Sequence, residues 1–217
     1  MIKGVILDMD GLLIDSEPYW REALINVMKG VGIELTPERA RLTMGLRTEE
    51  IVEYWYQVEP WAHKATGEVA EEIVTESLRL ILEKAAVMPG VHELINFVKQ
   101  EGLRLGLASS SPMNMIKAIV PKIGIENELE VLRSGDQEKL AKPHPDVFIH
   151  AAEELGLRPN ECLVFEDSFN GLLAAKAAKM KAVVVPEDYD DPRFVIADLK
   201  LRSLEEFTAI HFEELNQ

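Results

Sequence analysis

Lys3-Gly4-Val5-Ile6-Leu7-Asp8-Met9-Asp10-Gly11 is an apolar run of the length of a buried strand that ends abruptly in two carboxylates, two residues apart, with a glycine immediately after. The β-branched and aliphatic residues predict a strand over 5–8. In an open α/β sheet the carboxyl ends of the strands face the ligand crevice, which puts Asp8 and Asp10 where a ligand binds. Crowded carboxylates repel each other and resist desolvation. Such a pair calls for a cation, a proton or a cationic partner, and a magnesium site that processes phosphate supplies the first.

Working outward, four more segments predict strands, at 103–108, 129–133, 162–166 and 182–185, with helical patterns between them at 91–100, 113–122, 146–155 and 171–179. Gly90, Pro112 and Pro145 stand near helix starts, and Gly102, Gly124 and Gly156 follow helix ends. Alternation of this kind predicts an α/β fold, a doubly wound parallel sheet with helices on both faces. One stretch breaks it. From 16 to 86 the pattern is helical with no strand, with helices expected from a Ser16 cap onward and at 37–42, 49–57 and 67–84. The expected organisation is therefore a catalytic core of residues 1–15 and 87–217 and an inserted helical cap domain of residues 16–86. Glu68, Glu71, Glu72 and Glu76 read as a solvated face of the insert.

The bulk properties narrow the class. The 217 residues are 47% apolar and 28% charged, with a net charge of −15, which suits one large domain with an insertion. The negative field disfavours nucleic acid and anionic membranes as partners. An anionic substrate must then be drawn in by local cations. One cysteine, Cys162, forms no internal disulfide, so a reducing compartment is expected. No apolar run approaches the ~20 residues of a membrane span, and the first strand leaves no cleavable signal before it. A cytoplasmic monomer or weak dimer is the expectation.

Polar groups follow four strand regions. Asp8 and Asp10 follow the first, and Ser109, Ser110 and Ser111 the second. Lys142 precedes a helix in Lys142-Pro143-His144-Pro145-Asp146, and Glu166-Asp167-Ser168 closes the fourth. At one sheet edge these supply acids for a metal, hydroxyl and backbone donors for phosphate oxygens, and a lysine for charge. The pattern resembles the haloacid dehalogenase-like phosphohydrolase superfamily over essentially the whole chain, with four motifs in order: Asp8-Met9-Asp10-Gly11, Ser109, Lys142 and Glu166-Asp167. The run Asp8-Met9-Asp10-Gly11-Leu12-Leu13-Ile14-Asp15-Ser16-Glu17-Pro18 and the later Asp191-Pro192-Arg193-Phe194-Val195 are most similar to bacterial 2-deoxyglucose-6-phosphate and hexitol phosphatases, near relatives of the beta-phosphoglucomutases.

The resemblance implies a Rossmann-like core and a Mg²⁺-dependent phosphatase acting on small sugar or sugar-alcohol phosphates. It casts Asp8 as nucleophile and Asp10 as acid/base. Metal ligands would be Asp8, the Asp10 backbone carbonyl, Asp167 and, as a further ligand, Glu166. Ser109, the Ser110 N–H and Lys142 would hold phosphate oxygens. The mutase relatives carry a histidine where this chain has Trp20, which argues against a sugar phosphomutase. A receiver-like phospho-switch also combines acids, a hydroxyl and a lysine on a doubly wound sheet. Against it stand the insertion and a nucleophile on the first strand.

Each motif alone has a plainer reading. The acidic pair suits a calcium loop, but Leu12 and Tyr19 occupy positions where an EF-hand needs acids or amides. The serines suit a helix cap before Pro112, Lys142 an exposed turn, and Glu166-Asp167 the favourable charge at a helix start. The histidines lack paired ligand spacing, and Cys162 reads as inert core. Trp55 and Trp61 read as packing between cap helices. Arg47, in Met44-Gly45-Leu46-Arg47-Thr48, reads as a surface arginine or as a donor to substrate hydroxyls.

Overall fold

Gly4–Leu7 forms β1, buried along its whole length. It is buried because it is central: β2 (Arg104–Ser109) pairs with it on one side and β4 (Cys162–Glu166) on the other, both parallel. With β3 (Val131–Ser134), β5 (Lys181–Val184) and β6 (Leu199–Lys200) the sheet runs β3-β2-β1-β4-β5-β6, every pair parallel. The computed structural model describes residues 1–43 and 46–217. The chain walks outward from β1 to β3, then returns to start again at β4. The strand order therefore reverses between β1 and β4, and a crevice opens at their carboxyl ends.

Helices cover the sheet. After the insertion these are α5 (Val91–Gln100), α6 (Met113–Ile123), α7 (Asp146–Glu154), α8 (Phe169–Ala177) and α9 (Ala209–Leu215). Successive strand residues point to opposite faces. Ile6, Val164 and Ala182 share one core cluster with Phe148, Ala151, Leu172 and Ala175 from α7 and α8. Alanines on α8 let that helix approach the strands closely, and Ala174 and Ala175 are wholly buried.

Beyond β1 the chain folds back on itself. The amides of Leu13 and Ile14 donate to the Met9 carbonyl at 2.9 and 3.3 Å, and the Gly11 amide donates to the Ile14 carbonyl at 3.0 Å. Ile14 forms an antiparallel bridge with Val87, and the Met88 amide donates to the Leu13 carbonyl at 3.0 Å. The chain thus leaves for the insertion and returns from it at neighbouring positions.

Two compact units result: Met1–Asp15 with Val87–Gln217, and Ser16–Ala86. The second contains α1 (Glu17–Gly30), α2 (Pro37–Ala40), a 3₁₀ turn at Arg41–Thr43, α3 (Thr48–Val58) and α4 (Thr66–Lys84). Among the described residues it has no strand. Its own core gathers Leu24, Met28, Val52, Trp55, Trp61, Val69 and Ile73. Glu68, Glu71 and Glu72 are exposed and Glu76 partly so. Lys64 pairs with Glu72 and Arg79 with Glu76, as on an ordinary wet helix face.

The departures from the sequence reading are local. Ser16 precedes α1 but makes no side-chain cap; its carbonyl receives the Tyr19 and Trp20 amides instead. The strand expected at 129–133 spans Val131–Ser134, with the exposed Glu130, paired with Arg104, just before it. The helix expected at 171–179 starts at Phe169, because the Ser168 hydroxyl caps it by accepting from the Gly171 amide at 3.0 Å. β6 was not expected: two residues carry no detectable alternation.

Truncating the central strand tests this core. Ile6 is fully buried, so Ile6→Ala is expected to lower unfolding free energy by ~2–5 kcal/mol. Val195 is 82% exposed, and Val195→Ala is expected to stay within ~0.5 kcal/mol of wild type in the same urea titration.

Candidate active site

Register brings the acids together. Leu7 is level with Leu107 on β2 and with Phe165 on β4. Asp8 follows at the mouth of the crevice, its amide donating to the Phe165 carbonyl at 3.0 Å. Glu166 ends β4 beside it, and Ser109 ends β2.

Lys142 enters from the loop between β3 and α7. Its ammonium donates to Asp8 Oδ1 at 2.6 Å, to Glu166 Oε1 at 2.8 Å and to the Ala108 carbonyl at 3.1 Å. All three of its donors are engaged. The side chain is 4% exposed and its nitrogen lies 4.6 Å from the Phe148 ring centroid. The loop that delivers it is anchored by Glu138, whose carboxylate takes Arg133 Nε at 2.7 Å and faces His150 Nδ1 at 2.8 Å.

Two carboxylates share this one ammonium. Burial pushes the Asp8 carboxyl up to about 8; Lys142 pulls against it, while Glu166 and Asp10 push it further up. Burial works against the Lys142 charge, but Asp8 and Glu166 outweigh it and hold the ammonium above the ordinary lysine range. The cluster has more carboxyl groups than cations.

Glu166 holds more than the lysine. Its Oε2 accepts from the Asp167 amide at 2.9 Å, the Ser168 amide at 2.8 Å and the Ser168 hydroxyl at 2.9 Å. Gly171 on α8 lies so close that any Cβ there would run into this carboxylate. Gly11, at φ +74°, likewise faces Asp167, and a Cβ would meet the Asp167 carboxylate. The two glycines make room for the two acids of the fourth motif.

Asp10 is held from β2. Its Oδ2 accepts from Ser111 Oγ at 2.6 Å and from Ser109 Oγ at 3.3 Å. The Ser111 amide donates back to Ser109 Oγ at 3.0 Å. Ser110 lies on the same turn, and Gly135 packs against its backbone.

Asp8, Asp10, Ser109, Ser110, Lys142, Glu166 and Asp167 therefore sit on one edge of the sheet. Arg47 belongs to the helical unit, half-buried at the start of α3, with its amide donating to Glu50 Oε2 at 3.0 Å. The Met44-Gly45 part of its turn lies outside the described residues. Trp20 packs on the helical unit's core. Cys162 is a free, buried thiol whose pKa burial raises to about 12, as expected for inert core. The sequence reading gave Ser111 no role of its own and did not see that Lys142 bridges two acids. The triple serine was a signal for the first; nothing local marks the second.

Asp8, Glu166 and Asp167 each offer a carboxylate oxygen, and these lie within 4.8 Å of one another. An all-oxygen donor set of three carboxylates suits a hard divalent cation such as Mg²⁺. The residues fit that group.

A parallel sheet with acids, hydroxyls and a buried lysine gathered at its switch point defines an α/β enzyme core. The family model of the haloacid dehalogenase-like hydrolases matches residues 2–179, and the chain belongs to that family. It is 42% identical to hexitol phosphatase B of Escherichia coli (strain K12) over 96% of this chain and 95% of that one. The structure of CbbY from Rhodobacter sphaeroides in complex with phosphate aligns with a TM-score of 0.90 at 26% identity, covering 100% of both chains. That of beta-phosphoglucomutase from Clostridium difficile aligns at 0.85 and 25% identity, over 99% of this chain and 96% of that one. No helix among the described residues is long and apolar enough to cross a membrane.

Removing the ammonium leaves buried acids facing each other. Lys142→Ala is expected to cost ~3–5 kcal/mol of stability, read as a drop in the urea midpoint in chelator.

Proposed function

We propose that the protein is a phosphatase for small sugar or sugar-alcohol phosphates, taking hexitol phosphates, hexose 6-phosphates and 2-deoxyglucose 6-phosphate, and that it works through an aspartyl-phosphate on Asp8. The observation that carries this reading is the 2.6 Å contact between Lys142 and a buried Asp8 at the crevice. The 42% identity to hexitol phosphatase B supports the substrate class.

In the first step an Asp8 oxygen attacks phosphorus, the bond to the sugar oxygen breaks, and protonated Asp10 gives its proton to the leaving alkoxide. In the second, Asp10 takes a proton from water as the water oxygen attacks phosphorus. The bond to Asp8 breaks and inorganic phosphate leaves. Ser109, the Ser110 N–H and Lys142 hold the phosphoryl oxygens. Asp8, Asp167, the Asp10 carbonyl and Glu166 are the groups to hold Mg²⁺, which offsets a repulsion of ~4 kcal/mol per charge pair at ~4 Å and effective dielectric ~20. Substrate choice falls to the helical unit of residues 16–86, acting as a cap, with Arg47 donating to sugar hydroxyls.

The likeness to a beta-phosphoglucomutase makes a sugar phosphomutase the second reading. Trp20 counts against it, because its indole N–H accepts no proton. Given a hexitol phosphate or hexose 6-phosphate, the protein is expected to release the free polyol or sugar and inorganic phosphate over many turnovers. An isomeric sugar phosphate as main product would establish the mutase, and a single phosphorylation without turnover the phospho-switch. Asp8→Asn should abolish turnover while the protein still folds.

Chelator should silence the enzyme and Mg²⁺ restore it, with Ca²⁺ a poor substitute because its shell is larger and looser. Asp167→Ala is expected to raise the Mg²⁺ needed for half-maximal activity by ~10-fold or more, since even outer-shell partners carry ~10–100-fold. An unchanged Mg²⁺ requirement would remove Asp167 from the ligand set.

A further inference from the structure

Two serine hydroxyls point at one oxygen of Asp10, and they are not equivalent. Ser109 Oγ lies at 3.3 Å and Ser111 Oγ at 2.6 Å. A hydroxyl has one proton to donate. When Ser109 turns that proton to a phosphate oxygen, its bond to Asp10 is lost. The Ser111 bond is not.

Ser111 is itself held from both sides of its peptide. Its amide donates to Ser109 Oγ at 3.0 Å, and its carbonyl accepts from Ser134 Oγ at 2.7 Å. Ser134 is fully buried, and its hydroxyl also receives the Asp136 amide at 3.1 Å. Gly135 follows it without a Cβ, with the Ser110 backbone against its Cα. The backbone that carries the Ser111 hydroxyl is therefore held by Ser109 and by the end of β3.

We infer that Ser111 is a positioning residue for Asp10, keeping its carboxylate aimed at the reacting oxygens while Ser109 serves the phosphate. The inference rests on the reading of Asp10 as the proton carrier. A proton carrier misplaced by ~1 Å loses on the order of 100-fold in rate, so both proton transfers are sensitive to the Ser111 hydroxyl.

The test is Ser111→Ala assayed with a hexitol phosphate and, by stopped flow, with p-nitrophenyl phosphate. Nitrophenolate leaves without a proton, so its first step needs no acid, whereas hydrolysis of the aspartyl-phosphate still needs the base. Ser111→Ala is expected to lower kcat for the hexitol phosphate by ~10–100-fold with KM nearly unchanged. It should also show a burst of nitrophenolate followed by slow turnover. Ser111→Thr, which keeps the hydroxyl, should restore both. Ser134→Ala should move both in the same direction by less, and it carries the test if Ser111→Ala fails to fold. Wild-type or faster turnover in Ser111→Ala, or equal loss in both steps with no burst, overturns the inference. Asp10→Asn in the same assays separates the two ideas. If it turns over normally, the reading of Asp10 fails; if it is slowed while Ser111→Ala is not, only the role of Ser111 fails.

Discussion

The bond on which this molecule is arranged is the Lys142 ammonium, set between Asp8 and Glu166 and against the Ala108 carbonyl. Four parts of the chain meet in it: the ends of β1, β2 and β4 and the loop after β3. An ammonium in the interior is tolerated only when its donors are engaged and its charge is opposed. These partners do both, and they are far apart in sequence. The site therefore exists only in a chain whose sheet is already ordered as observed. The site's geometry and the tertiary structure meet in this one ammonium.

Glu166 extends that constraint beyond the lysine. One oxygen serves Lys142 and the other gathers the Asp167 and Ser168 amides with the Ser168 hydroxyl. The same side chain balances a charge and shapes the turn that presents Asp167. It fits because Gly171 leaves its Cα bare against the carboxylate. Such a residue is hard to replace even where no ligand touches it, since a shorter acid loses the turn and an amide loses the charge.

The sequence was most informative where a local rule has one outcome. The strand at 162–166 and the helix at 91–100 match at both ends, because an uninterrupted apolar run and a capped amphipathic run each admit little else. β6, two residues long at the sheet edge, owes its existence to β5 and left no pattern of its own. Ser16 looked like a side-chain cap and is not one, since the choice among hydroxyl partners is made by tertiary surroundings. The acids, serines and lysine were legible as types at strand ends. Their pairings were not: Glu138 with Arg133 and His150, Ser111 with Ser134, and Lys142 with two acids are all set by where the sheet places them.

The bridge between Ile14 and Val87, with the Met88 amide on the Leu13 carbonyl, fastens the chain's departure point to its point of return. The sheet's register and the lysine cluster are therefore indifferent to how many residues lie in the excursion between them, as an insertion with adjoining ends closes at little entropic penalty. The α/β core is a fixed chassis with a socket. The helical module can be lengthened, shortened or exchanged at that socket without disturbing the acids, serines and lysine of the core.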